Sequence, residues 1–250
     1  MARFVSLLAA LTIILSLGAA PAQAQEKTRS RPARLASLNF TVGLPTGAFS
    51  DNVENPGFGG NLFLGTQLGQ SPAVLGLDLG FLIYGRNTST VPFSTTVPIR
   101  VELVTTNSIL QPHAVLRFQP QQGTVRPYIE GLGGFKYLST ETKVRDDDLQ
   151  DNRDIASETN FEDFAWSGGG GAGFDVVVYR SEERDGQNWK LRHVSLHLGA
   201  QYLFGQEAEY VADAEIQDEN GNNVIDTSEL DIRRSATSIV TLKFGASVFF

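Results

Sequence analysis

The chain ends Lys243-Phe244-Gly245-Ala246-Ser247-Val248-Phe249-Phe250, an alternating segment that stops on an aromatic residue. One side carries Val240, Leu242, Phe244, Ala246, Val248 and Phe250, and the other carries Thr241, Lys243, Gly245 and Ser247. Apolar and polar residues at a period of two put one face of a strand against an apolar phase and the other against a polar one. A soluble sandwich could use one such edge strand. A closed transmembrane barrel needs the pattern in every strand, so the test is whether it recurs upstream.

Seven earlier segments repeat it. From Ala36 to Leu44, Ala36, Leu38, Phe40, Val42 and Leu44 alternate with Ser37, Asn39, Thr41 and Gly43. From Phe58 to Leu68, Phe58, Leu62, Leu64 and Leu68 oppose Gly59, Asn61, Gly65 and Gln67. The third segment sets Leu75, Leu77, Leu79, Phe81 and Ile83 against Gly76, Asp78, Gly80 and Tyr84. The fourth, Ser108 to Phe118, sets Leu110, Ala114, Leu116 and Phe118 against Gln111, His113 and Arg117; Pro112 weakens it by removing a ladder donor. The fifth, Pro127 to Leu138, sets Ile129, Phe135 and Tyr137 against Tyr128, Glu130 and Lys136. The sixth, Trp166 to Tyr179, begins with glycines and then sets Phe174, Val176 and Val178 against Asp175. In the seventh, Val194, Leu196, Leu198, Ala200, Tyr202 and Phe204 oppose His193, Ser195, His197, Gly199 and Gln201.

The connections keep a rhythm. Those after the second, fourth and sixth segments are short (69–73, 119–126 and 180–189), and the other four are long (45–57, 86–107, 139–163 and 205–235). Short turns at one end and long loops at the other, with an even strand count, are the plan of an outer-membrane barrel. The expected fold is therefore all-β, an eight-stranded antiparallel up-and-down transmembrane barrel.

The start of the chain sets the compartment. Arg3 precedes an apolar stretch from Leu7 to Leu17, and Ala22-Gln23-Ala24 offers a small-residue cleavage site. The stretch is too short for a spanning helix. Residues 1–24 are expected to be a removed export signal, residues 25–34 a polar lead-in, and 25–250 one barrel domain. With no cysteine, neither a lipid-anchored N-terminus nor a disulfide framework is available. The whole chain has 20 basic and 28 acidic residues; losing Arg3 leaves 19 against 28, a net −9. That balance argues against nucleic acid or anionic lipid as an electrostatic partner.

Pro127-Tyr128-Ile129-Glu130-Gly131-Leu132-Gly133-Gly134 follows a short turn and resembles the PY-x-x-x-G-x-G strand of small outer-membrane barrels. Gly43-Leu44-Pro45-Thr46-Gly47-Ala48-Phe49-Ser50 resembles the end of their first strand and its loop. With the terminal phenylalanine, the mature chain resembles the OmpA-type outer-membrane β-barrel domain family. That resemblance implies the cell outer membrane, contact with its lipids, and recognition of Phe250 by the barrel-assembly machinery. It implies no single activity, since members include anchors, adhesins, surface-recognition proteins and enzymes.

An eight-stranded barrel has an interior just wide enough for side chains. Asp78, Arg117, Glu130, Lys136, Asp175, His193, His197, Gln201 and Lys243 are the inward candidates, and they mix both signs of charge. A plug of buried ion pairs and hydrogen bonds follows, because unpaired charge there is costly. The alternative is a narrow path for small solutes, protons or ions.

His193-Val194-Ser195 resembles the His-x-Ser pair of small outer-membrane lipid A deacylases, which continue with asparagine where this chain has Leu196. Alternation turns both residues into the lumen, away from an acyl substrate, so no catalytic residue is assigned. The expected role is structural or surface-interacting, with an external ligand that the sequence does not name.

The last long loop contains Asp218-Glu219-Asn220-Gly221-Asn222-Asn223-Val224-Ile225-Asp226-Thr227-Ser228-Glu229. It resembles a twelve-residue calcium loop, with Asp218, Asn220, Asn222, Asp226 and Glu229 at the ligand positions. Asn223 stands where glycine is usual, and asparagine tolerates the left-handed backbone needed there. Calcium is the one cofactor the sequence suggests, and the fold requires none. The acidic run Arg145 to Asp154 lacks comparable spacing and reads as a solvated loop.

Overall fold

The computed structural model describes residues 33–92, 100–146, 154–181, 191–212 and 232–250. The order of elements is β1 (Arg34–Pro45), a short 3₁₀ turn (Gly47–Phe49), β2 (Gly57–Gln67), β3 (Ala73–Pro92), β4 (Arg100–Phe118), β5 (Val125–Asp146), β6 (Asp154–Arg180), β7 (His193–Gly205), β8 (Glu207–Val211), β9 (Ile232–Ala236) and β10 (Ile239–Phe249). Eight strands close a barrel in the order β1-β10-β7-β6-β5-β4-β3-β2, and β8 and β9 form a separate hairpin. Every ladder is antiparallel.

Period-two patterning fixes the register, because a slip by one residue would turn every lipid-facing side chain inward. On β1, Leu38 and Phe40 point out, 70% and 54% exposed, while Asn39 between them is 4% exposed. On β3, Leu75, Leu77, Leu79, Phe81 and Ile83 are all exposed and Asp78 is buried. The span from Leu75 to Ile83 matches the roughly 9–11 residues a tilted strand needs to cross a hydrocarbon core. Aromatic rings crowd one border of this band: Phe135, Phe164 and Trp166 contact one another, as do Tyr202 and Phe204. Such a girdle marks a membrane–water interface.

Closure is made between β1 and β10, which stay in register from Leu35↔Phe249 to Pro45↔Ile239. Beyond the ladder, Arg34 and Phe250 exchange two backbone hydrogen bonds of 2.8 and 3.0 Å. Phe249 turns inward and stacks on His193 with centroids 4.0 Å apart. Pro112 is accommodated on the outer face: the β4–β5 ladder omits Gln111 and Pro112 yet resumes at His113↔Gly134 in unchanged register.

The strands differ in reach more than the sequence pattern suggests. β1, β2, β7 and β10 have 12, 11, 13 and 11 residues, whereas β3, β4, β5 and β6 have 20, 19, 22 and 27. Much of the expected loops 86–107 and 139–163 is therefore strand. β3 and β4 remain paired to Pro92↔Arg100, and β5 and β6 to Arg145↔Asp154. The apolar outward band stops near Ile83 and Phe164, so these extensions form a four-stranded crest above it. The period-two signal fades there because neither face of the crest meets lipid. The expected loop 205–235 likewise contains the β8–β9 hairpin.

Candidate functional site

The interior is filled side chain by side chain, in layers. Nearest the start of β1 and the end of β10, Arg126 Nη1 donates to His193 Nε2 at 2.8 Å, and its guanidinium lies 5.6 Å from the Phe249 ring centroid. In the next layer Asp175 accepts from His197 Nδ1 at 2.8 Å, from Ser247 Oγ at 3.1 Å and from Gln119. The carboxylate fixes the proton on His197 Nδ1, leaving Nε2 to accept from the Tyr128 hydroxyl at 3.1 Å.

Tyr128 crosses the lumen to reach that histidine. A Cβ at Gly199 would lie 2.1 Å from its hydroxyl oxygen, and one at Gly173 would lie 2.6 Å away. These two glycines are ladder partners, so both strands give way at the same level. On its other side Tyr128 carries Arg117, 4.0 Å from the ring centroid, and Arg117 also covers Phe63 at 4.2 Å. A guanidinium held between two rings gains cation–π attraction as well as packing.

Arg117 also pairs with Glu130, by Nε at 2.8 Å and Nη2 at 2.7 Å. Gln201 supplies a further donor to Glu130 at 2.7 Å. A second ion pair joins Lys243 Nζ to Asp78 at 2.7 Å, and Asp78 also accepts from Asn61, which accepts from Asn39. Both pairs are almost wholly shielded from solvent, so their charges depend on one another and on these amides.

Toward the long-loop end the chemistry changes. His113 meets Ser167 at 3.2 Å. Lys136 is fully buried and donates to the backbone carbonyls of Thr237 and Leu203, with no carboxylate among its hydrogen-bond acceptors in the described residues. Above it an apolar cluster of Phe49, Val53, Tyr84, Ile109, Leu138, Ala208 and Tyr210 closes the mouth. Phe49 comes from the first connection and Tyr210 from the β8–β9 hairpin, and their rings meet edge to face at 5.0 Å. Asn52 and Ser235 both bond the Tyr210 hydroxyl, at 3.0 and 2.7 Å. Asn107 and Tyr84 reach the Val211 carbonyl at 3.1 and 3.4 Å.

All nine expected inward residues are buried. Among them only Arg117–Glu130, Lys243–Asp78 and His197–Asp175 become charged or ionisable pairs. His193 engages Arg126 rather than Ser195, and the Ser195 hydroxyl makes no hydrogen bond among the described residues. His193 and His197 keep separate partners, and no group of three or more His, Asp or Glu among the described residues is placed to hold a metal. Asp218, Asn220, Asn222, Asp226 and Glu229 lie outside the described residues. Arg126, Gln119, Phe63 and Phe249 are lumen residues that the sequence pattern does not single out. For Phe63 and Phe249 the period of two is available, but an aromatic on the polar face of an alternating strand carries no signal of its own.

A family model for the outer membrane protein beta-barrel domain matches residues 9–177. Among solved structures, the chain is similar to the crystal structure of Neisserial surface protein A (NspA), at 12% identity and TM-score 0.38, covering 87% of this chain and 95% of that one. It is also similar to a major outer membrane protein from Thermus thermophilus, at 13% identity and TM-score 0.41, covering 87% of this chain and 99% of that one. No curated protein matches the chain.

Proposed function

Since the chain belongs to the outer membrane protein beta-barrel domain family, we propose that it acts at the outer membrane as a closed barrel that holds interaction surfaces outside the cell. The observation that carries this reading is the filled lumen: Tyr128 and Arg117 lie across it, and Phe49 and Tyr210 close its long-loop end. A barrel filled in this way serves as a rigid mount rather than a conduit. The narrow channel for small solutes or ions is the competing reading, and no catalytic role is assigned.

In this reading residues 1–24 are an export signal, and the assembly machinery recognises Phe250. The chain termini and the turns at Gly69 and Gly123 face the periplasm, while the crest of β3–β6 and the β8–β9 hairpin face outward. The last loop adds a calcium site through Asp218, Asn220, Asn222, Asp226 and Glu229, and the external ligand is held by the surfaces above the membrane. Two measurements test the proposal. Purified protein in planar bilayers should give no discrete conductance steps, and steady unitary currents would favour the channel. On intact cells an impermeant maleimide should label Glu158→Cys and Glu207→Cys but not Gln122→Cys; the reverse pattern would invert the orientation.

A further inference from the structure

Two arginines converge at the short-turn rim of the barrel. Arg126, near the start of β5, is 6% exposed, whereas Arg180, the last residue of β6, is open to solvent. Both donate to the carbonyl of Gly123, Arg126 through Nε at 3.2 Å and Arg180 through Nη2 at 2.8 Å. The two nitrogens are no farther apart than the sum of those distances, about 6 Å, a separation at which like charges repel. Gly123 holds its turn at a φ of 103°, a conformation open to glycine. Neither guanidinium bonds a carboxylate among the described residues. Arg126 Nη1 is taken by His193 and its Nη2 has no acceptor there, while the Arg180 guanidinium has only the Gly123 carbonyl. Asp175, deeper in the lumen, is already engaged by His197, Ser247 and Gln119.

The charge around the pair does not cancel it. Residues 119–126 and 180–192, counted in full, hold five bases and three acids. The long connections 45–57, 86–107, 139–163 and 205–235 together hold seven bases and 21 acids. The negative balance of the chain therefore belongs to the opposite end, and an anion is not repelled from this rim.

Lipid-facing surface begins directly beside the pair. The β6–β7 register shifts between Val177 and Tyr179, and the consecutive residues Val178 and Tyr179 are both exposed, 57% and 54%. A bulge re-aims side chains in this way. Val125, next to Arg126 on β5, is exposed as well. Arg180 follows Tyr179 without a gap, so cationic and apolar surfaces adjoin. A free anion meets only the first, whereas an amphiphile with an anionic head meets both.

We propose that Arg126 and Arg180 bind the headgroup phosphate of an anionic phospholipid whose chains lie along Val125, Val178 and Tyr179. Guanidinium–phosphate hydrogen bonds are charge-assisted and match in geometry. A phosphate between the two cations also removes their mutual repulsion. In the orientation proposed above, the lipid belongs to the periplasmic leaflet.

The test titrates the full-length protein, refolded in detergent micelles, with dioleoylphosphatidylglycerol and counts bound lipid by native mass spectrometry. Dioleoylphosphatidylcholine has the same chains under a zwitterionic head and serves as the reference, and sn-glycerol phosphate is the soluble probe. One phosphatidylglycerol per barrel should be retained in preference to phosphatidylcholine. Arg180→Gln should weaken it about tenfold, the loss expected for a hydrogen bond to a charged group. Arg126→Gln should do the same, its fold being checked by heat-modifiable gel mobility. Arg34→Gln removes an equal charge from another strand at the same rim and should leave binding unchanged. An equal loss in Arg34→Gln would reduce the pair to a diffuse positive potential and overturn the proposal. So would equal retention of the two lipids, or unchanged binding in Arg180→Gln. Displacement of the lipid by glycerol phosphate at equal concentration would make this a site for free phosphate and overturn the lipid assignment. Binding in detergent does not depend on which way the barrel faces, so its failure leaves the orientation to the cysteine labelling.

Discussion

Lys243, on the strand that closes the barrel, holds Asp78 on β3 at 2.7 Å across the two intervening strands. The contact ties the last strand to an early one through the lumen, independently of the ladder between them. Lys243→Met leaves the Asp78 carboxylate buried with Asn61 as its one remaining hydrogen-bond donor among the described residues. Breaking a buried pair from one side costs about 3–5 kcal/mol. Urea unfolding in lipid vesicles should show that loss, and adding Asp78→Asn should recover most of it. Additive losses in the double variant would mean that the two charges do not depend on each other.

The second prediction concerns the close approach of Tyr128 to Gly199. Gly199→Ala places a methyl group 2.1 Å from the Tyr128 hydroxyl but 3.4 Å from the ring carbon that bears it. Overpacking of this kind costs about 1–3 kcal/mol. The same substitution should cost clearly less in a Tyr128→Phe background, where the clashing oxygen is gone. Equal unfolding midpoint shifts in both backgrounds would show that the ring does not lie against β7.

Phe249 and Phe250 should separate assembly from stability. Phe250→Asp is expected to lower the amount of protein reaching the outer membrane, because the terminal aromatic is the proposed assembly signal. Phe249 stacks inside on His193, so Phe249→Ala should still insert but unfold more readily, by about 3 kcal/mol as for other buried phenylalanines. Quantifying both variants in membrane fractions, then in urea, decides the matter. Normal membrane levels of Phe250→Asp would remove the proposed role of that residue.

Calcium gives the fourth prediction. If Asp218, Asn220, Asn222, Asp226 and Glu229 hold one ion, titration calorimetry on the refolded barrel should report binding in about the sub-millimolar to millimolar range. Glu229→Ala should weaken it most, since the last position supplies the bidentate ligand. Chelation should make residues 205–235 more sensitive to protease. No heat at millimolar calcium, with identical cleavage in calcium and chelator, would leave the segment an ordinary polar loop.

Which side each barrel residue faces was legible because membrane strands alternate between two unlike phases. Asp78, Glu130 and Lys243 are buried where that period puts them. Their partners were not legible. Arg117 meets Glu130 across a ladder, but Lys243 meets Asp78 through a stagger that depends on how the whole sheet closes. The crest escaped for a different reason: residues 86–92 and 100–107 are strand without a lipid face, so polar and apolar residues mix freely. The mouth cap escaped because Asn52 and Tyr210 are 158 residues apart and meet only once the barrel exists.

The seam between β1 and β10 has a consequence for how the protein comes into being. Ser37 and Ser247 bond across it at 2.8 Å although 210 residues separate them. No partial set of these strands lacks bare edges, and each unpaired backbone group costs several kcal/mol in hydrocarbon. Strands therefore cannot wait singly in the bilayer for their neighbours. Until the seam joins, both rims of the growing sheet must be shielded by something other than lipid, so insertion and closure are two aspects of one event.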